Sequence, residues 1–324
     1  MTEFTEQQFI FGDIKLINNM ESSIKQLCKG QDFTATLTIE NKSGYDEDQP
    51  IDVVAVFDGH GSNLVIDIIR ELNMNDYFTH ANTAECLQHT IKEQIRVKKE
   101  KYDKIPYKPG DNVDEYLKGK IRNIDIINSG STFSAAYIQK KINTDEVNIV
   151  AEWVGDSPIF VFVNGELVFT SKIHHASNDE DVALMKEKGF IENITESNAG
   201  FELVSEDTII SKPTRYIVFK NGLRMAMTRS LGHNSVMSTE AQTSIITAKN
   251  TDDVKVIVCS DGIGDVINLD FDTERLKSYS AEEIVNFAEK RWKQKWMVGD
   301  KAIKFPINGY DDCSCAIWWQ KKYS

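Results

Sequence analysis

Three apolar runs far apart in the chain each meet an aspartate, and this pattern constrains the fold more than any other feature. Ile51-Asp52-Val53-Val54-Ala55-Val56-Phe57 runs into Asp58-Gly59-His60-Gly61, and Val256-Ile257-Val258-Cys259 into Ser260-Asp261-Gly262; Gly309-Tyr310-Asp311-Asp312 leads into the apolar stretch Cys313 to Trp319. Short apolar runs bounded by turn residues read as buried strands. Three strand ends therefore carry a carboxylate each. If they converge they repel one another, and they persist together only with raised pKa values or bound cations, of which cations are the less costly solution. A shared site would draw on nearly the whole length, and no Pro/Gly/Ser-rich linker or repeat interrupts it, so residues 1–324 are expected to form one domain.

The first run carries the most chemistry. A carboxylate, a glycine with an accessible carbonyl and then an imidazole give a hard metal oxygen ligands and set a proton donor, His60, beside it. The net charge of −13 argues against a nucleic-acid partner, whose phosphates are neutralised by Lys and Arg, and is more compatible with cations and basic polypeptide substrates. The basic stretch Lys92 to Lys108 reads as a solvated helix face. Of five cysteines, Cys259 and Cys313 fall within apolar strands, and Cys313-Ser314-Cys315 lacks zinc-site spacing, so reduced thiols in the cytoplasm are expected, with the nucleus left open. Nowhere do about 18 apolar residues run together as a membrane span requires. A monomer without a membrane partner is the expectation.

Phe33–Ile39 alternates as a strand, Gly44–Pro50 is an acidic turn, and Leu64, Ile68, Ile69 and Leu72 keep helical spacing. Ala84–Lys99 reads as a second helix and Lys104–Gly119 as a surface excursion. Strands follow over Ser131–Ile138, Val147–Val154, Ile159–Val163 and Glu166–Thr170, the last two joined by the hairpin turn Asn164-Gly165. Helices are expected over Asn178–Gly189 and Ala281–Trp296. Adjacent strands bracketed by helices give an α+β fold of stacked antiparallel sheets with helices outside. Gly130 and Gly155 are expected to allow close strand packing without direct chemistry, His174 and His175 to be exposed in a loop, and Trp318-Trp319 to be core and edge.

Taken in order, the motifs resemble those of the metal-dependent serine/threonine protein phosphatases of type 2C. Val53–Gly61 (VVAVFDGHG), Ser129–Ala135 (SGSTFSA), Gly155-Asp156-Ser157 and His175–Asp181 (HASNDED) carry the first half. Asn221–Gly232 (NGLRMAMTRSLG), Val258–Asp265 (VCSDGIGD) and Asp311–Ile317 (DDCSCAI) carry the second. The resemblance implies a four-layer α/β/β/α sandwich with two central antiparallel β-sheets flanked by helices, and two divalent cations, magnesium or manganese, at one sheet edge. It implies that Asp58 bridges them, that the Gly59 carbonyl binds one, and that Asp261 and Asp311 bind the other. Asp32, after Gln31, would act through waters, and Asp156 would help Asp261 hold a weaker third cation. Oxygen donors suit magnesium and manganese, and two such ions about 3.5–4 Å apart can activate a bridging water for direct attack on phosphorus. His60 would protonate the departing serine or threonine oxygen of a phosphoprotein substrate. The resemblance also implies a flap beside the site within Ser171–Ser235, and its polar portion Asn198–Pro213 reads as a loop that sets substrate choice.

The chain departs from the pattern in two places. Where the family has a phosphate-gripping arginine stands Leu27, flanked by Lys25 and Lys29, which keep a charge without the bidentate fork. Gly232-His233 replaces a frequent Gly-Asp. The rival reading is a catalytically silent phosphatase-like binding module, against which the retention of Asp58, Asp261 and Asp311 argues; a phosphatase acting on small esters is a third.

Overall fold

Side-chain alternation along the Ile51–Gly61 strand sets the architecture. Val53, Ala55 and Phe57 pack with Val65 and Ile66 of the Leu64–Glu71 helix and with Leu87 and Ile91 of the Thr83–Asp103 helix, whereas Val54 and Val56 enter a separate apolar layer. Successive strand side chains point to opposite faces, so a strand apolar throughout has to be covered on both. The computed structural model describes residues 5–11, 14–40, 49–78, 82–104, 120–141, 143–220 and 222–323. The Gly44–Pro50 turn lies largely, and the Lys104–Gly119 excursion almost wholly, outside them.

One antiparallel sheet has Ile51–Gly61 at its centre, paired with Asp32–Ile39 and with Phe133–Lys141, and continues through Glu146–Val154 to Gln242–Lys249. The second runs Thr5–Phe11, Ile14–Lys25, Cys313–Tyr323, Val254–Cys259, Ile159–Val163, Glu166–Thr170, again antiparallel throughout. Between the sheets Ile138, Ile149 and Trp153 meet Val161, Val256 and Trp318. On the far side of the second sheet, Ile257 and Ile317 pack on Ile284, Val285 and Trp292 of the Ala281–Lys293 helix. Three apolar layers thus separate helices, sheet, sheet and helices, the four-layer order expected. Each fully buried aliphatic or aromatic side chain in them contributes roughly 1.5–3 kcal/mol.

Ser280 and Glu283 close a capping box at the start of the last long helix, which stops at Lys293; Trp296 belongs instead to a short hairpin, Trp296–Val298 with Lys301–Ile303. The sequence pattern assigns no element to one further region, and a second differs from expectation. Thr5–Phe11 and Ile14–Lys25 form strands although their sequences lack apolar alternation, because Ile14–Lys25 is templated by Cys313–Tyr323 and Thr5–Phe11 is an edge, where polar residues are tolerated. Asn198–Pro213 is not a loop. It is the distal part of a hairpin, Ile191–Leu203 with Ile209–Phe219. At Gly200 an added Cβ would lie 2.1 Å from Thr214 Oγ1, so the strands approach closely only because glycine stands there. The tip is tied down: Met297 N donates to Asp207 O at 2.7 Å, Asn268 Nδ2 to Leu203 O at 2.9 Å, and Trp296 packs against Leu203 and Ile209.

Candidate active site

Antiparallel register places Asp32 directly opposite Asp58 at one end of the first sheet. In the second sheet Cys259 is registered with Cys315, so the chain leaving at Ser260-Asp261 passes the chain entering at Asp311-Asp312. Their approach depends on Gly262, where an added Cβ would lie 2.0 Å from Asp312 O and 3.1 Å from Asp311 Cβ. Gly59 plays the same part in the first sheet: its N–H donates to Gln31 O at 3.0 Å, and a Cβ would meet that oxygen at 2.7 Å. Thr132 Oγ1 accepts from Asp58 N and contacts Ser157 Oγ at 2.7 Å, which links the first strand tip to the Gly155-Asp156-Ser157 turn.

These carboxylates raise one another's affinity for protons. Burial, then the charges of Asp261 and Asp32, hold Asp58 well above the ordinary carboxylate range. Burial and Asp261 push Asp32 up to about 8 and Asp311 up to about 6, and Asp156 lies well above the usual range through burial, Asp261 and Asp265. Among the described residues, Asp32 Oδ2, Asp156 Oδ1 and Asp261 Oδ1 are buried with no hydrogen-bond partner. Orphaned oxygens on carboxylates close enough to raise one another's pKa fit hard divalent cations, because no imidazole or thiolate belongs to the set. No three such ligand side chains are already drawn round one point among the described residues.

Among the described residues, Lys29 alone of the cations singled out in the sequence reaches this edge: its Nζ lies 2.8 Å from both Asp311 oxygens. Burial works against its charge, but Asp311, and more weakly Asp261 and Asp58, outweigh that and raise its pKa. Lys25 pairs instead with Glu289 at 3.2 Å, and Leu27 packs against the apolar cluster under the Ala281–Lys293 helix. Asp312, unanticipated as a functional residue, holds the loop in place. Its Oδ1 accepts from the N–H groups of Leu27, Cys28 and Lys29 at 2.7, 2.9 and 3.2 Å, and its Oδ2 from Gln31 N at 2.9 Å.

His60 has a partner that sequence reasoning missed. Its Nε2 lies 2.7 Å from His233 Nε2 and 3.1 Å from Ser230 Oγ, with the two rings stacked at 4.8 Å. His233 Nδ1 is 2.6 Å from Ile127 O, which only accepts, so Nδ1 carries the proton. Burial lowers the pKa of His233 to about 4 and, with His233 alongside, that of His60 well below the usual value. Neutral His233 therefore presents a bare Nε2 to a proton on His60 Nε2, and His60 Nδ1 is the nitrogen left without a partner among the described residues. Gly130 does more than permit strand packing: a Cβ there would lie 2.1 Å from His233 Nε2 and 2.6 Å from His60 Nε2. His174 corrects another expectation. It is buried rather than exposed, accepts from Gly155 N at 3.1 Å and stacks on Trp153; His175 is half-buried.

The family model for protein phosphatase 2C matches residues 22–271. A serine-threonine phosphatase 2C from Toxoplasma gondii shares the fold, with TM-score 0.51 and 12% identity over 99% of each chain. A sex-determining protein of C. elegans is 19% identical, TM-score 0.49, over 93% of this chain and 64% of that one, so the chain spans less than two thirds of that relative. The catalytic domain of the serine/threonine phosphatase PstP, solved with two manganese ions, is 14% identical with TM-score 0.45, over 94% of this chain and 99% of that one. No curated protein matches the chain in sequence.

Proposed function

The chain belongs to the protein phosphatase 2C family, and on that premise we propose that it hydrolyses phosphoserine and phosphothreonine in proteins, working as one domain and as a cytoplasmic monomer, with the nucleus left open. Among the described residues no helix is long and apolar enough to cross a membrane. The observation that carries the proposal is that buried Asp32, Asp58 and Asp156 lie at the same edge as half-buried Asp261 and Asp311, with three carboxylate oxygens of this group unpartnered among the described residues. Asp58, the Gly59 carbonyl, Asp261 and Asp311 would hold two divalent cations, magnesium or manganese, with Asp32 acting through waters and Asp156 at a weaker third position. Such cations supply charge neutralisation and Lewis-acid activation of water.

The chain's own residues do the rest. Lys29 supplies a flexible point charge to the substrate phosphate, with less geometric selectivity than an arginine fork. His60 would protonate the departing alkoxide, which leaves poorly without a proton, once the negative charge of the bound phosphate raises the lowered pKa of its ring and its Nδ1, without a partner among the described residues, takes up a proton. His233 and Gly130 fix the ring that does so. The test is hydrolysis of a phosphothreonine peptide with manganese, after exhaustive chelation, and by Asp58→Asn. Activity that survives chelation would overturn the cation reading, and an Asp58→Asn enzyme with near-normal turnover would remove Asp58 from the site.

A further inference from the structure

Lys29 is held at two points by two consecutive residues. Asp311 takes its ammonium, at 2.8 Å from each carboxylate oxygen, while Asp312 takes its backbone N–H together with those of its neighbours in the loop. The side chain is 43% exposed, so the pair is within reach of competing ions. Asp261 and Asp58 add to the pull on the same ammonium. The lysine lies where positive charge is most needed, among carboxylates that keep orphaned oxygens.

We propose that Lys29 is a tethered counter-ion: it neutralises Asp311 when no divalent cation is bound, and a divalent cation entering at Asp311 must displace it. The inference rests on the reading of this edge as a cation site and adds to it a competition internal to the chain. Its consequence is coupling. Cation loading releases the ammonium while the loop stays anchored by Asp312, and the freed charge then lies beside the place a substrate phosphate would occupy. An arginine fork already committed to phosphate would not connect the two events in this way. Reciprocity requires that whatever draws Lys29 off Asp311 also favours cation binding.

The test is calorimetric titration with manganese alone, without phosphate, of the full chain and of Lys29→Met, Lys29→Arg and Asp311→Asn. Lys29→Met keeps the stem and removes the competitor, so it should bind manganese about three- to tenfold more tightly. Lys29→Arg should stay within about twofold of the parent, since it keeps the charge. The metal-free Lys29→Met protein should also unfold at a lower temperature than the parent, with the gap closing once both are loaded, which a merely structural role would not produce. Lys29→Gln provides the same comparison if the methionine variant folds poorly. Equal or weaker manganese binding by both neutral variants, with Asp311→Asn weakened, would overturn the counter-ion and leave the phosphatase reading standing. Failure of the parent chain to bind manganese at all would overturn both.

Discussion

Two settings of buried aspartate, one beneath the helices and one at the sheet edge, are treated in opposite ways. Asp272 is fully buried and fully answered: Arg291 donates to both its oxygens, Arg275 to one and Asn268 N to the other. Asp181, beside the hairpin, is similarly met by Arg229 and Thr228. At the edge, Asp32 and Asp156 are nearly as buried, yet among the described residues no arginine reaches their carboxylates, Arg70 donating only to the backbone oxygen of Asp32, and each keeps an orphaned oxygen. A buried charge left unanswered costs several kcal/mol. The same chain satisfies carboxylates elsewhere, so the edge is a local exception, and local exceptions of this kind mark sites built for a ligand. Three consecutive non-glycine residues with positive φ, His233, Asn234 and Ser235, adjoin it and add backbone strain of order 1 kcal/mol or more each.

The comparison breaks most visibly under the helices. Arg291→Met should strand the Asp272 charge and cost about 3–5 kcal/mol in urea unfolding, with or without manganese. A loss below about 1 kcal/mol would mean that Asp272 is not held by that pair. At the edge, His60→Gln should lower turnover on phosphothreonine peptide about a hundredfold and on an activated aryl phosphate less than tenfold, because an acidic phenol leaves without a proton. Equal losses on the two substrates would make His60 a positioning residue only.

A smaller effect distinguishes the settings by pH. Asp32 titrates at about 8 in the fold against an ordinary value near 4, so between those limits the folded chain binds more protons than the unfolded one, and stability falls as pH rises. His174 and His233, lowered to about 4, act with the opposite sign, but only below about 6.5. From pH 6.5 to 7.5 the chelated protein should therefore lose about 1 kcal/mol of stability for each edge carboxyl still protonated, and manganese should abolish the slope. A flat profile in chelator would show that these carboxyls are not raised.

Much of this was legible in the chain. Asp58 and Asp261 could be picked out because each ends a continuous apolar run, and Asp311 because one begins two residues later; the alternation of Val53, Val54, Ala55 and Val56 between two layers follows from the strand period alone. What stayed hidden depends on partners remote in sequence. Lys29 is nearer than Lys25 to the Gln31-Asp32 strand start and could be favoured on that ground. The pairing of Lys25 with Glu289 on a distant helix could not be read, nor the role of Asp312, set by backbone groups more than 280 residues away, nor that of His233, set by a ring on another strand. The hairpin over Asn198–Pro213 escaped because its apolar residues, Phe201, Leu203, Val204, Ile209 and Ile210, are broken up by Gly, Glu, Ser and Asp, and its burial comes from Trp296 and the neighbouring helical layer.

The central claim, that the edge aspartates are destabilising until cations occupy them, is tested most directly by the unfolding free energy of Asp58→Asn beside the parent chain, in chelator and in saturating manganese. In chelator the variant should be more stable by about 1 kcal/mol or more, since a neutral amide replaces a carboxyl crowded by Asp261 and Asp32. In manganese the order should reverse, because only the parent gains the full stabilisation of a bound ligand. A variant less stable than the parent in chelator, yet raised equally by manganese, would contradict the account.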